Sequence, residues 1–311
     1  MKKLLYSLAI PLAFNLSLMA NPEIDDSPQQ VYLNEGTFDI EDGPGQFTID
    51  LNYDRVARSK FTRKRHKKQN ISFGVGQASA GFIFYYDKEV KEIATIEAGY
   101  TNTDIHWKEN PYFHKKDFNV ATLSVGAVTK RICRWLWKSK LAWNIDMDHP
   151  NFSEYSTWDF IGWGRYSYTD DIGIHLGLIV MTGMRIDHVY PILGFDWKFN
   201  EKWKVNAIFP LNISVVYAFD DNWSLDLAAR GWETRNRVGK NEKLSKALVQ
   251  YSNTGIELGA NYDLGHRVHA NIHIGYTTGG RLRIADKNNH HHHRLKFKAA
   301  PYAGGEIQLN F

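Results

Sequence analysis

Alternation with a period of two is the feature that most limits what this chain can become. Phe47, Ile49, Leu51 and Tyr53 alternate with Thr48, Asp50 and Asn52, and Ile256, Leu258, Ala260 and Tyr262 alternate with Glu257, Gly259, Asn261 and Asp263. Val268, Ala270, Ile272, Ile274 and Tyr276 repeat the pattern against His269, Asn271, His273 and Gly275. Successive side chains of a strand point to opposite faces, so these runs read as strands with one apolar and one polar face. A helix would scatter the same apolar residues around its cylinder. Hydrophobic residues make up 43% of the 311-residue chain and mean hydropathy is −0.43, and beyond the N-terminus no run approaches the roughly 20 apolar residues of a spanning helix. That excludes a helical membrane protein and leaves a barrel open.

Turns distinguish a barrel from a soluble sandwich. Thr169-Asp170-Asp171, Asn200-Glu201-Lys202, Asp220-Asp221-Asn222 and Gly265-His266 each join two alternating runs, with aromatic residues beside them such as Tyr168, Trp203, Trp223 and Tyr262. Short Asn/Asp/Gly turns mark hairpins, and aromatic strand ends suit the girdle of a membrane barrel. At the opposite end the connections are longer and more polar, about 56–70, 107–117, 147–156, 183–190, 234–250 and 277–294. Tight turns on one side and long loops on the other are the build of a transmembrane antiparallel up-and-down β-barrel. The expected strands are 46–55, 71–86, 93–106, 118–129, 136–147, 157–168, 172–182, 191–199, 203–209, 211–219, 223–233, 250–263, 266–277 and 294–311. An even fourteen leaves both termini in the periplasm; twelve is the alternative, because the two strands around Pro210 are short.

Residues 1–20 read as a cleaved secretory signal peptide, with Lys2 and Lys3 before an apolar stretch and Ala20 at its end. Removing Lys2 and Lys3 lowers the formal net charge from +4 to about +2, which gives no reason to expect a nucleic-acid partner. Residues 21–45 hold seven acids and no Lys or Arg, so they read as an acidic periplasmic arm before a barrel of residues 46–311. Extended, such an arm is long enough to enter a barrel roughly 25 Å tall and meet Arg165 and Arg230. The single cysteine, Cys133, rules out an internal disulfide framework and any Cys-rich zinc site.

The stretch Tyr190 to Arg230, an aromatic strand, a polar turn with Trp, a strand, Pro and another aromatic strand, resembles an uncharacterised family of Gram-negative outer-membrane β-barrels, a domain of unknown function. The final strand, with Ile307, Leu309 and the terminal Phe311, is similar to the C-terminal strand that the barrel assembly machinery reads in such proteins. These resemblances imply an outer-membrane location and lend no catalytic residues.

If the apolar faces meet lipid, the other face supplies the lumen: Asp50, Glu97, Asp159, Arg165, His175, Asp196, Asp226, Arg230, Glu257, His269, His273 and Glu306. Mixed charges can tune a wet pore or fill and rigidify a narrow one. Arg55 to Lys68 carries eight bases and no acid, so Arg63, Lys64, Arg65, Lys67 and Lys68 form a candidate anion-binding loop for lipopolysaccharide phosphates, with a solvated connector as the bland reading. His290, His291, His292 and His293 form a weak metal candidate, although consecutive residues in a loop seldom converge on one ion. An enzyme acting on envelope lipids would need a Ser and a His on neighbouring strands, and Ser167 and His175 lack a legible activating group. The expectation is therefore a barrel of no enzymatic activity and no cofactor that passes or binds small solutes. Its rival is a closed structural or surface-interaction barrel.

Overall fold

A computed structural model describes residues 46–311 except Lys88, Val90, Lys91, Arg131, Cys133, Arg134 and His266. The signal segment 1–20, the acidic arm 21–45, Cys133 and His266 of one proposed turn therefore lie outside the described residues. In chain order the strands are β1 Phe47–Lys60, β2 Asn70–Asp87, β3 Glu92–Trp107, β4 Asp117–Thr129, β5 Trp135–Asp146, β6 Ser156–Ser167, β7 Ile172–Gly183, β8 His188–Lys198, β9 Trp203–Phe209, β10 Asn212–Ala218, β11 Trp223–Arg237, β12 Leu248–Leu264, β13 Val268–Ala285, β14 His293–Phe297 and β15 Pro301–Asn310. Each of β1 to β12 pairs antiparallel with its successor, and β15 pairs with both β13 and β1, so the sheet closes. Both β14 and β15 lie along β13 in one continuous register, from Ile284↔His293 to Val268↔Leu309. They form one interrupted stave, and the barrel has fourteen.

The period-two pattern becomes two surfaces. Outward positions are apolar and exposed, as in Ile272 at 70% and Ile274 at 66%, while their neighbours Asn271 and His273 are buried. Contiguous exposed apolar surface on this scale marks contact with something other than water. Aromatic residues crowd the turn end, where Trp203 lies 4.8 Å from Tyr217 and Trp223 4.8 Å from Tyr262. Pro210 ends the ladder between β9 and β10 because it has no N–H to donate, which leaves seven-residue staves and a low stretch of wall.

The chain end completes the closure. Phe311 N–H donates to the Phe47 carbonyl at 2.8 Å, and Phe47 N–H donates back at 3.2 Å. Ile307 and Phe311 are exposed on the outer face. Deleting Phe311 is expected to leave most of the exported chain unassembled and protease-sensitive; normal amounts of folded barrel in the membrane fraction would contradict this.

The loop end differs from expectation. Residues 56–60, 234–237 and 278–285, expected as loop, are strand, so the real connections there are 61–69, 238–247 and 286–292. The strands continue because their inner faces build a second core. Phe73 stacks on Tyr251 at 3.9 Å with an interplanar angle of 2°, and Tyr251 stacks in turn on Phe297 at 5.4 Å. Phe61 packs on Trp107 at 4.6 Å, and Trp232 meets Tyr302 edge-on at 4.6 Å. Leu282, Ile284, Val249 and Leu295 complete this cluster, all at most 1% exposed. Side chains of β1–β3 and β11–β15 thus meet across the interior and close that part of the loop end.

Candidate functional site

All twelve charged residues expected in the lumen lie on the inner wall, but the structure sorts them into two sets. Most fill the barrel. Arg165 donates through Nε and Nη2 to the two oxygens of Asp196 at 2.9 and 2.8 Å, and His175 Nε2 lies 2.9 Å from the same carboxylate. Because Trp163 Nε1 donates to His175 Nδ1 at 2.8 Å, that imidazole is held as the tautomer that donates to Asp196. Arg230 forks onto Glu257 at 2.5 and 2.7 Å, Tyr302 donates to Glu257 at 2.9 Å, and His273 Nε2 sits 2.6 Å from Asp54. Asn261 links Asp226 to this group, donating to Asp226 at 2.8 Å and accepting from Asn271 at 2.6 Å, and His269 lies 2.7 Å from Asp263. Buried charges paired in this way fill a core and leave little to offer a ligand. The two cations that an inward-threaded acidic arm was expected to meet, Arg165 and Arg230, are thus already engaged by Asp196 and Glu257.

The remaining expected residues face open space. A cavity of about 340 Å³ runs along the inner wall of β1–β7, from Thr48 and Gly126 near the turn end to Tyr155 and Arg235 near the loop end. Asp50, Glu97, Asp159 and Glu306 line it. Lys140 Nζ donates to Glu97 at 2.7 Å, Asn144 donates to Asp159 at 2.7 Å, and Arg235 pairs with Asp159 from the opposite side. Five acids line the cavity, the four above with Asp146, against three bases, Lys138, Lys140 and Arg235. A water-accessible space so lined carries a negative bias.

Loops close its outer end. The 238–247 connection folds across to two others: Glu242 accepts from the backbone N–H groups of His114 and Lys115 at 2.6 and 2.9 Å, Leu244 N–H donates to the Tyr112 carbonyl at 2.9 Å, and Lys246 reaches Glu154 at 2.5 Å. Tyr155 donates to the Val238 carbonyl at 3.3 Å. On the other flank Asn289 donates to the Arg185 carbonyl at 2.8 Å, so the β7–β8 loop passes the short β9–β10 hairpin and joins the cap.

Two partly exposed ion pairs in this latch contribute to its pH response. Hydrogen bonding to Lys246 holds Glu154 below the ordinary carboxylate range, and hydrogen bonding to Lys115 does the same for Asp148. A carboxylate with a lowered native pKa contributes stability above its ordinary value near 4, and that contribution is lost only as pH falls through the lowered one. Acidification from pH 8 to pH 5 is therefore expected to leave the 238–247 loop closed, read as unchanged protection of its amides once intrinsic exchange rates are divided out. A tenfold loss of protection in that window would contradict the assignment.

The other candidates separate. Arg63, Arg65, Lys67 and Lys68 are exposed in the 61–69 loop, which carries one 3-10 turn at Lys64–His66, whereas Arg55, Arg58 and Lys60 belong to β1 and Arg55 pairs with Asp104. The four histidines diverge: His291 Nδ1 lies 2.8 Å from Asp286, His292 Nε2 3.2 Å from Arg283, the His293 ring packs at a tilt on Tyr112 at 4.6 Å, and the His290 N–H caps Asp286 at 2.7 Å. These contacts hold Asp286 down at about 2, and among the described residues no three His, Cys, Asp or Glu converge as a metal site. Ser167 accepts from Arg165 at 3.0 Å while both His175 nitrogens have other partners, so no Ser–His pair forms.

Sequence reasoning missed Asp54, Lys140, Arg235 and Tyr302. Asp54 was legible, since it continues the even-numbered face of Thr48, Asp50 and Asn52. Lys140 likewise alternates with Leu141 and Ser139. Tyr302 continues the even-numbered face of Gly304 and Glu306, whereas Arg235 gave no signal, because residues 232–237 at the end of β11 are buried on both faces.

Residues 163–310 match the family described as Domain of unknown function (DUF6268). The resemblance expected from Tyr190 to Arg230 falls inside that span. An uncharacterized protein of Chlamydia pneumoniae is 25% identical over 285 residues, covering 86% of this chain and 88% of its own, and one of Chlamydia trachomatis is 22% identical over 231 residues, covering 70% and 73%. Among solved structures, an outer membrane channel from Pseudomonas putida F1 aligns over 92% of this chain and 100% of its own at 8% identity and a TM-score of 0.48. A mutant of the TodX monoaromatic hydrocarbon channel aligns over 86% and 91% at 11% identity and a TM-score of 0.46.

Proposed function

We propose that this chain is an outer-membrane barrel that admits small polar solutes, cations in preference to anions, through the half-lumen beside β1–β7. The observation that carries this reading is the 340 Å³ cavity with its five acids and three bases, set within a wall whose outer face is apolar. Supporting it, the main charges of the filled half are engaged with one another, Arg165 with Asp196 and Arg230 with Glu257, while the loop cap is tied by a few polar contacts. The reading assigns no catalytic role, since Ser167 and His175 are each committed to other partners. Export by a cleaved signal peptide and insertion by the barrel assembly machinery belong to the same proposal.

A reversal potential measured across a planar bilayer in a KCl gradient tests the selectivity. Wild-type protein is expected to favour K⁺ over Cl⁻, and Asp50→Asn/Glu97→Gln to reduce that preference at least twofold, because both carboxylates line the cavity. An unchanged preference would move the selectivity elsewhere.

The apolar core of the loop end specifically favours a second reading, a closed structural barrel. It holds if no variant that loosens the loops conducts.

A further inference from the structure

A second hollow lies at the loop end, outside the cavity. It measures about 660 Å³ and sits between three connections, with Lys115 from β3–β4, Asp148 and Glu154 from β5–β6, and Gly239 and the exposed Lys240 from β11–β12 on its walls. Among the described residues, Tyr155 alone lines both this vestibule and the inner cavity. One side chain therefore divides them.

The backbone of Tyr155 is fixed and its ring is lightly held. Its N–H donates to the Asn151 carbonyl and its carbonyl accepts from the Asp146 N–H, both at 3.0 Å, so the residue roots the β5–β6 loop on the wall. Around the ring there are three restraints: the hydroxyl donates to the Val238 carbonyl at 3.3 Å, the His149 ring meets it edge-on at 5.1 Å, and the Arg237 guanidinium lies 5.7 Å from its centre. Each is a single, modest contact. Turning about χ1 swings the ring aside without moving the backbone that carries it.

Carboxylates stand on both sides of the ring, Asp148 and Glu154 in the vestibule and Asp146 and Asp159 in the cavity. Glu154 and Asp159 have their own bases in Lys246 and Arg235. Lys115 spans the divide: its Nζ lies 2.8 Å from Asp148, 3.5 Å from Asp146 and 5.1 Å from the centre of the Phe118 ring. One ammonium thus offsets two acids at the entrance, and fixed charges beside a narrow passage act directly on a solute in transit. We propose that solutes reach the cavity through this vestibule and past the Tyr155 ring, and that Lys115 sets the charge preference of that entrance. The inference rests on the reading of the cavity as a solute path and names its way in.

Thiol labelling inside the cavity tests it. Ala142 lines the cavity directly opposite Asp159, so Ala142→Cys in a Cys133→Ser background places the only thiol there. Its rate of modification is followed by mass spectrometry in the refolded barrel, with a cationic reagent, 2-(trimethylammonio)ethyl methanethiosulfonate, and an anionic one, 2-sulfonatoethyl methanethiosulfonate. Tyr155→Ala is expected to raise both rates at least tenfold. Gly239→Trp keeps the Tyr155 ring and fills the vestibule, since a Cβ at 239 already meets His149 Nε2 at 2.7 Å; it should lower both rates at least fivefold. An unchanged rate in either variant means that the cavity fills by another way, such as the turn end, and overturns the proposal. Lys115→Gln keeps the backbone N–H that Glu242 accepts from, and it should raise the ratio of cationic to anionic rates at least fivefold. An unaltered ratio removes Lys115 from the selectivity of the entrance. If neither reagent reaches the thiol in any of these folded variants, the solute path itself falls; if both reach it at one rate in all of them, this inference alone falls.

Discussion

Tyr251→Ala should cost the barrel about 3–5 kcal/mol, the range for removing a large aromatic ring from a core. The ring is 1% exposed, lies flat against Phe73 at 3.9 Å, stacks on Phe297, and its hydroxyl accepts from Asn253 Nδ2 at 2.9 Å. Truncation leaves a cavity between two parts of the wall that nothing else on β12 can fill, and it strands a buried amide. A denaturant titration in lipid vesicles measures the loss. A change below about 1 kcal/mol would mean that the loop-end core is not a unit of the fold.

The lipid-facing wall allows an equally large test with the opposite geometry. Leu258 is 52% exposed among apolar neighbours, whereas Asn261, three residues on, is turned inward and bonded to Asp226 and Asn271. Arginine at the midplane of a barrel's lipid face costs roughly 2–4 kcal/mol, while at the inward position the Asp226 carboxylate is at hand to pair with it. Leu258→Arg is therefore expected to destabilise the protein in bilayers by at least 2 kcal/mol more than Asn261→Arg. Equal losses would show that the faces have been exchanged.

What the sequence disclosed follows from the range of its signals. Alternation and turn chemistry are local, so fourteen staves could be placed, the strands around Pro210 included, with their turn ends within a few residues, while at the loop end β13 runs to Ala285. The loop-end core was invisible for a physical reason. Its members, such as Phe73, Tyr251 and Phe297, are far apart in sequence, and the run that would have disclosed β13 is broken at Gly279, where φ is +103° and the register with β12 shifts. Past that break Arg281, Leu282, Arg283 and Ile284 resume the alternation, but the charged members made the segment read as loop. The same limit applied to the lumen. Charge type showed which residues face inward; only the pairing of Arg165 with Asp196 and of Arg230 with Glu257 showed which of them are spent on structure.

The loop cap decides between a path and a closed shell. Glu242, Lys246 and Tyr155 tie the 238–247 loop to its neighbours, whereas Val238 and Ala247 at its ends are buried in the apolar core, so Glu242→Ala/Lys246→Ala/Tyr155→Phe should free the tip of the loop without unfolding the barrel. Single-channel recording in a planar bilayer at one salt concentration compares the two proteins. Intact barrel is expected to show rare, brief, cation-preferring openings, and the latch variant a conductance open at least ten times more of the time. Silence from both, with the variant still folded, would contradict a solute path and leave the closed barrel standing.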